Sequence, residues 1–92
     1  MFPKILRIEP HADRTLTVVF EDGREGDVDL RPLISRGGIY TAMNDDAFFF
    51  AATTAANRRS VVWPDDQIEL GADGLARDLR PTAVSRRSVA VA

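Results

Sequence analysis

Glu25, Asp27 and Asp29 alternate along one short stretch, with Glu21 a few positions ahead. Alternate residues of an extended strand share a face, so these carboxylates form a comb that could hold a hard cation such as magnesium or calcium. A dedicated calcium site needs about six or more oxygens, usually gathered by a loop, and a strand offers too few that converge. A solvated acidic face that discourages unwanted edge pairing accounts for the comb better, so no metal site is assigned. His11 is the only histidine and could serve as a general base. It stands between Pro10 and Ala12 in a turn-like segment with no orienting partner in view, and reads as an ordinary surface residue. Asp65 and Asp66 follow Trp63-Pro64. A glycosidase pair would need a sugar-sized cleft, whereas turn chemistry explains adjacent aspartates directly. Gly37-Gly38 has no Lys-Ser or Lys-Thr behind it, which excludes a phosphate-cradling loop. The serines lack a plausible base. No base, nucleophile and stabiliser can be named together, so the expectation is a non-enzyme with no catalytic, cofactor-binding or metal-binding residues.

The remaining candidates are contact residues. Trp63, the sole tryptophan, ends an apolar run and precedes a proline that keeps it extended. Its ring body is expected in the core, with the indole edge at the rim of a contact surface. Phe49 and Phe50 belong to a run of three phenylalanines, which cannot all point inward. Arg86 and Arg87 lie in a basic terminal segment that could order on an acidic partner, although spaced arginines also serve simply as solubilising charge. Phe49, Phe50, Trp63, Arg86 and Arg87 are therefore the candidate partner-contact residues.

These side chains must be positioned by a small scaffold. The chain has 92 residues, enough for one domain near the lower size limit for independent folding. A hydrophobic content of 45% places it among globular rather than disordered chains. There is no cysteine, so disulfides and thiolate metal sites are excluded. The segment Met1 to Arg7 has no long apolar run and no cleavage-site pattern, and no stretch approaches the ~20 apolar residues of a membrane span. A cytoplasmic location is expected. Residues 80–92 hold Arg80, Arg86 and Arg87 and no acid, which leaves nine basic and fourteen acidic groups in the first 79 residues. An acidic body repels polyphosphate, so nucleic-acid binding is disfavoured.

Lys4 to Glu9, Arg14 to Phe20 and Arg24 to Leu30 read as three strands of a meander, the first ended by Pro10. Leu16, Val18, Phe20, Val28 and Leu30 are all even-numbered. For them to share one face, opposing residue numbers must sum to an even value, and a two-residue Asp22-Gly23 turn would instead set Asp27 and Asp29 against Val18 and Leu16. The sequence therefore predicts a three-residue loop, Glu21-Asp22-Gly23, with Gly23 left-handed at a bulge. Gly26 then falls on the apolar face, where its missing side chain leaves room for Phe20 or another ring. Glu25, Asp27 and Asp29 face water.

Pro32 suits the first turn of a short helix at about 31–35, ended by Gly37-Gly38. Ile39, Tyr40 and Met43 read as apolar anchors. Asn44 or Asp45 can cap a second helix through Ala51, with Phe48 as its most buried residue. Thr53 to Ala56 and Ser60 to Trp63 read as strands around an Asn57-Arg58-Arg59 turn, and Gln67 to Leu70 as another. Asp73 can cap a last helix, Gly74 to Leu79. The layout is a single α+β domain over 1–79: a mostly antiparallel sheet with two or three short helices against it. Residues 80–92 form an arginine-containing tail, expected to be mobile in the isolated chain.

Two stretches carry a family resemblance. One runs from Leu16-Thr17-Val18-Val19-Phe20-Glu21-Asp22-Gly23 to Val28-Asp29-Leu30-Arg31-Pro32-Leu33. The other is Val61-Val62-Trp63-Pro64 followed by Ile68-Glu69-Leu70 and the segment Asp73 to Leu79. Over about residues 3–79 the chain resembles the domain of unknown function 2442 family of small bacterial proteins. The resemblance implies a small α+β fold and no established activity. Some members resemble the front part of longer proteins ending in a helix-turn-helix. Others are similar to one half of two-gene pairs that look like toxin–antitoxin modules. The chain departs from the family pattern at Asp65-Asp66, where Asn-Gly is common, and at Gly71-Ala72, where Pro is frequent. Only thirteen residues follow position 79, so no helix-turn-helix can be fitted there. The expectation is a protein-binding module, as a homodimer or as one half of a bacterial two-protein pair. The alternative is a small-ligand-sensing domain associated with transcription control.

Overall fold

The computed structural model describes residues 4–81. Strands β1 (Ile5–Pro10), β2 (Thr15–Phe20) and β3 (Glu25–Asp29) form an antiparallel sheet in that order. The even-sum register is observed, with Leu16 opposite Val28 and Val18 opposite Gly26. The β2–β3 loop has three residues. The Phe20 amide donates to the Arg24 carbonyl at 2.8 Å, the Gly23 amide returns to Phe20 at 3.1 Å, and Gly23 has φ 94°. Leu16, Val18, Phe20, Val28 and Leu30 are all buried.

The β1–β2 connection repeats this geometry with a different residue. His11 donates from its amide to Thr15, and Ala12-Asp13-Arg14 closes the loop. Arg14 takes the left-handed position at φ 68°, a conformation that costs a residue with a Cβ roughly 1 kcal/mol. Its guanidinium offsets the cost. Nε donates to the Met43 carbonyl at 2.7 Å, the terminal nitrogens donate to Ala12, Asn44 and Asp46, and the group lies 5.1 Å from the centre of the Phe49 ring. One arginine thus ties the first hairpin to the middle of the chain. A bulge between Ile5 and Arg7 shifts the β1 register. It turns Ile5 onto the buried face beside Phe20 and leaves Leu6 exposed.

Helix α1 (Arg31–Ile34) starts directly after β3, with Pro32 in its first turn. A 3₁₀ segment, Gly38–Asn44, buries Met43 but leaves Ile39 58% exposed, so Ile39 is not an anchor. Helix α2 (Asp46–Phe50) is capped by the Asp45 carboxylate, which accepts from the Phe48 amide at 2.9 Å. Its inward residue is Phe49, not Phe48, which is half-buried. In a helix of barely one turn, the direction facing the first sheet settles which ring goes in.

The second sheet has the order β4 (Thr53–Thr54), β5 (Ser60–Val62), β6 (Glu69–Gly71). Helix α3 (Ala72–Arg77) follows β6 without a loop. It begins ahead of Asp73, which is not its cap: the Ala72 amide is held by the Arg59 carbonyl at 2.8 Å, and no side chain caps the helix. Buried Ile5, Leu16, Val18, Phe20, Met43, Phe49, Val61, Trp63 and Leu75 belong to one cluster, so both sheets share a single core.

Candidate functional site

The aromatic candidates divide on burial. Phe49 is 0% exposed and Trp63 1%, their ring centroids 6.2 Å apart. The Trp63 indole N–H donates to the Phe49 carbonyl at 3.2 Å, which satisfies its polar edge inside the core rather than at a contact rim. Neither ring offers surface to a partner. Phe50 does, at 44% exposure, with an edge-to-face contact on Phe49. Arg86 and Arg87 lie outside the described residues.

The acidic comb is not uniformly wet. Glu25 is exposed, but Asp27 is only 7% exposed and belongs to a polar chain across the outer face of the first sheet. The Thr17 hydroxyl donates to the Asp27 carboxylate at 2.6 Å, and His11 Nε2 lies 2.7 Å from the same hydroxyl oxygen. A hydroxyl with its proton committed to a carboxylate can only accept, so Nε2 carries the proton. His11 therefore has an orienting partner, which its turn-like setting in sequence does not reveal. Thr17 is itself 7% exposed, so its hydroxyl is shielded from solvent. Among the described residues no three His, Cys, Asp or Glu side chains are grouped to hold a metal ion.

Asp29 has a different task. Its carboxylate accepts from the Arg31 amide at 3.0 Å and from two guanidinium nitrogens at 2.9 Å. These bonds, led by those from the guanidinium, hold the Asp29 carboxyl below its ordinary value and raise the Arg31 guanidinium. They also fix the corner where β3 turns into α1.

That corner is one wall of an open cleft of about 640 Å³, bounded on the other side by β6 and α3. Val28, Leu30 and Leu75 form buried parts of its lining, and Leu33, Leu70 and Leu79 half-buried parts. Arg36, Arg77, Asp78 and Arg80 are its exposed charged lining residues. Arg80 is held in place by the backbone. It forms a two-residue bridge with Asp27, each amide donating to the other's carbonyl at 2.8 Å. Gly26 makes this possible, since a Cβ there would sit 2.2 Å from the Arg80 carbonyl oxygen. The space at Gly26 thus admits a returning backbone rather than an aromatic ring. Arg80, placed by sequence at the start of a tail, is bonded to the first sheet. The cleft combines an apolar floor with arginines at its mouth, which suits an apolar group attached to an anionic one.

A family model described as protein of unknown function (DUF2442) matches residues 5–81. The chain belongs to this family. The DUF2442 match spans both sheets, all three helices and the bridge at Arg80, so the whole cleft lies within the family's own region. No curated protein and no solved structure matches the chain. The Asp65-Asp66 departure from the common DUF2442 Asn-Gly has a structural consequence. Both aspartates have positive φ, 60° and 54°, in the turn between β5 and β6. The α3 approach, Gly71-Ala72, lacks the family's frequent proline and uses the Ala72 amide as a donor to Arg59, a bond that proline cannot make.

Proposed function

We propose that this DUF2442 protein is a non-catalytic protein-binding module that receives a partner segment in the cleft between β3–α1 and β6–α3. The partner would be a second protein of a bacterial two-protein pair, of the toxin–antitoxin kind. The observation that carries this reading is the cleft itself: a concave, apolar-floored surface of about 640 Å³ with exposed arginines on its lining. A folded domain of this size has few apolar residues to spare outside its core, and a concave set of them is where a partner's side chain gains most from burial. The volume also lies in the range of small-molecule sites, roughly 300–1,000 Å³, which supports a ligand-sensing domain as the second reading.

Affinity purification of the full chain from its native cell, with mass spectrometry, tests the proposal against a cleft-filled variant. Gly74 lines the cleft, and a Cβ there would meet nothing closer than an Arg77 nitrogen at 3.7 Å, so Gly74→Leu fills space without disturbing backbone. The wild type is expected to retain a stoichiometric protein partner that the filled variant loses while keeping its circular dichroism and melting behaviour. Recovery of no partner, or equal recovery by both proteins, overturns the reading.

A further inference from the structure

We propose, resting on the cleft reading above, that the occupant is an extended acidic peptide segment with one apolar anchor, its backbone adding to the β3 edge at Asp29 and its carboxylates meeting Arg36, Arg77 and Arg80. Three observations support this occupant.

The first is charge. The described residues carry ten basic and fourteen acidic groups, so the surface is acidic on balance. The cleft runs against that balance: three arginines line it beside Asp29 and Asp78. Asp29 is already engaged by Arg31, and Asp78 lies 3.7 Å from Arg77. Arg36 has no ion-pair partner within 4.0 Å among the described residues, and Arg80 has only the longer-range attraction of Asp29, whose carboxylate Arg31 already holds. A carboxylate-bearing segment would satisfy them, and a basic one would be repelled.

The second is backbone geometry. In an antiparallel strand, successive residues direct their N–H and C=O groups to opposite edges. Leu30 donates to Arg14 on the β2 side, whereas Asp27 exchanges both of its bonds with Arg80 on the free side. Asp29 has the same parity as Asp27, so its N–H and carbonyl point to that free edge, and Asp29 lines the cleft. The position that would pair with Asp29 in an antiparallel extension of the bridge is residue 78, but Asp78 is the C-cap of α3 and its amide bonds back into the helix. The edge is thus vacated by its own chain where the cleft opens, and an extended peptide can occupy it by strand addition.

The third is the floor. Leu33, Leu70 and Leu79 are half-buried and come from α1, β6 and the stretch between α3 and the Arg80 bridge. They converge on one hollow, which fits a single apolar side chain better than a flat amphipathic surface would.

Display of a random linear peptide library on the full-length protein tests the inference. Selected peptides are expected to carry Asp or Glu on both sides of a Leu, Ile or Phe. A synthetic representative should bind about tenfold more weakly to Arg36→Glu and to Arg77→Glu, and more weakly as salt rises. It should also slow exchange of the Asp29 amide proton. Selection of no peptide, selection without acidic enrichment, or affinity unchanged by both charge reversals overturns the inference. So does saturable binding of sodium octanoate at least as tight as that of any selected peptide, which would mark a small-carboxylate site. A native partner lost with Gly74→Leu but retained by both charge-reversed proteins leaves the cleft reading standing and removes only the acidic-segment inference.

Discussion

The Thr17 hydroxyl accepts from His11 and donates to Asp27, so one shielded side chain settles two polar neighbours on the outer face of the first sheet. Thr17→Val keeps the shape and removes both functions. Hydrogen bonds to charged groups contribute about 1.5–3 kcal/mol, so this variant should lose about 2 kcal/mol in urea unfolding with an unchanged m-value, while Thr17→Ser should stay close to wild type. An equal loss in both would assign the effect to packing. Asp29 supplies the pH dependence at this scale. Its folded-state pKa is lowered, chiefly by hydrogen bonds from the Arg31 guanidinium. A lowered carboxylate contributes stability above its unfolded value of about 3.9 and loses that contribution as pH falls through the folded value. Arg31→Gln should therefore move the Asp29 carboxyl, followed by ¹³C NMR titration, back towards the ordinary range. The stability gap between variant and wild type should be widest near neutrality and close in acid. A gap independent of pH would assign the role of Arg31 to helix geometry.

At the scale of elements, three of the connections that adopt left-handed backbone meet its cost differently. The β2–β3 loop uses Gly23, with no Cβ to object. The β1–β2 loop uses Arg14 and recovers the cost through four guanidinium hydrogen bonds and a ring contact. The β5–β6 turn places Asp65 and Asp66 there in succession, and neither aspartate side chain has a hydrogen bond that compensates among the described residues. Asp66→Gly should relieve this turn, raising stability by about 0.5–1 kcal/mol and the melting temperature by several degrees for a domain of this size. A lower melting temperature would show that the aspartate has a stabilising role in the turn. The same logic identifies which loops were legible. Glu21-Asp22-Gly23 announces itself by parity and a glycine, whereas nothing in Asp13-Arg14-Thr15 marks an arginine as the left-handed residue, because its compensation comes from positions 43–46.

For the whole molecule, the two small sheets depend on each other. Neither three-residue strands nor a two-residue β4 form an independently stable sheet. Phe49 and Trp63 sit in the cluster that also contains Leu16, Val18 and Phe20 of the first sheet. Backbone bonds from Ile5 to Arg58 and from Arg80 to Asp27 carry the chain from the first sheet to the second and back. Unfolding should therefore be a single event. Phe49→Leu should cost roughly 1–3 kcal/mol and lower the midpoint by the same amount whether followed by Trp63 fluorescence or by the NMR signals of Val18. Two separate midpoints would show that the sheets fold as independent units.

Local pattern determined the β2–β3 register, the glycine turn, the Pro32 start of α1 and the Asp45 cap of α2, because a two-residue period, a turn's φ requirement and a cap act between neighbours. It also determined the α+β class and the family. The tertiary structure alone decided which phenylalanine faces inward, that Asp27 is shielded beside Thr17 and His11, and that Arg80 crosses to Gly26. It alone assembled the cleft. Those outcomes depend on contacts between residues up to about fifty positions apart. Burial and close approach are properties of the surroundings that two segments create for each other, and no single stretch of sequence contains them.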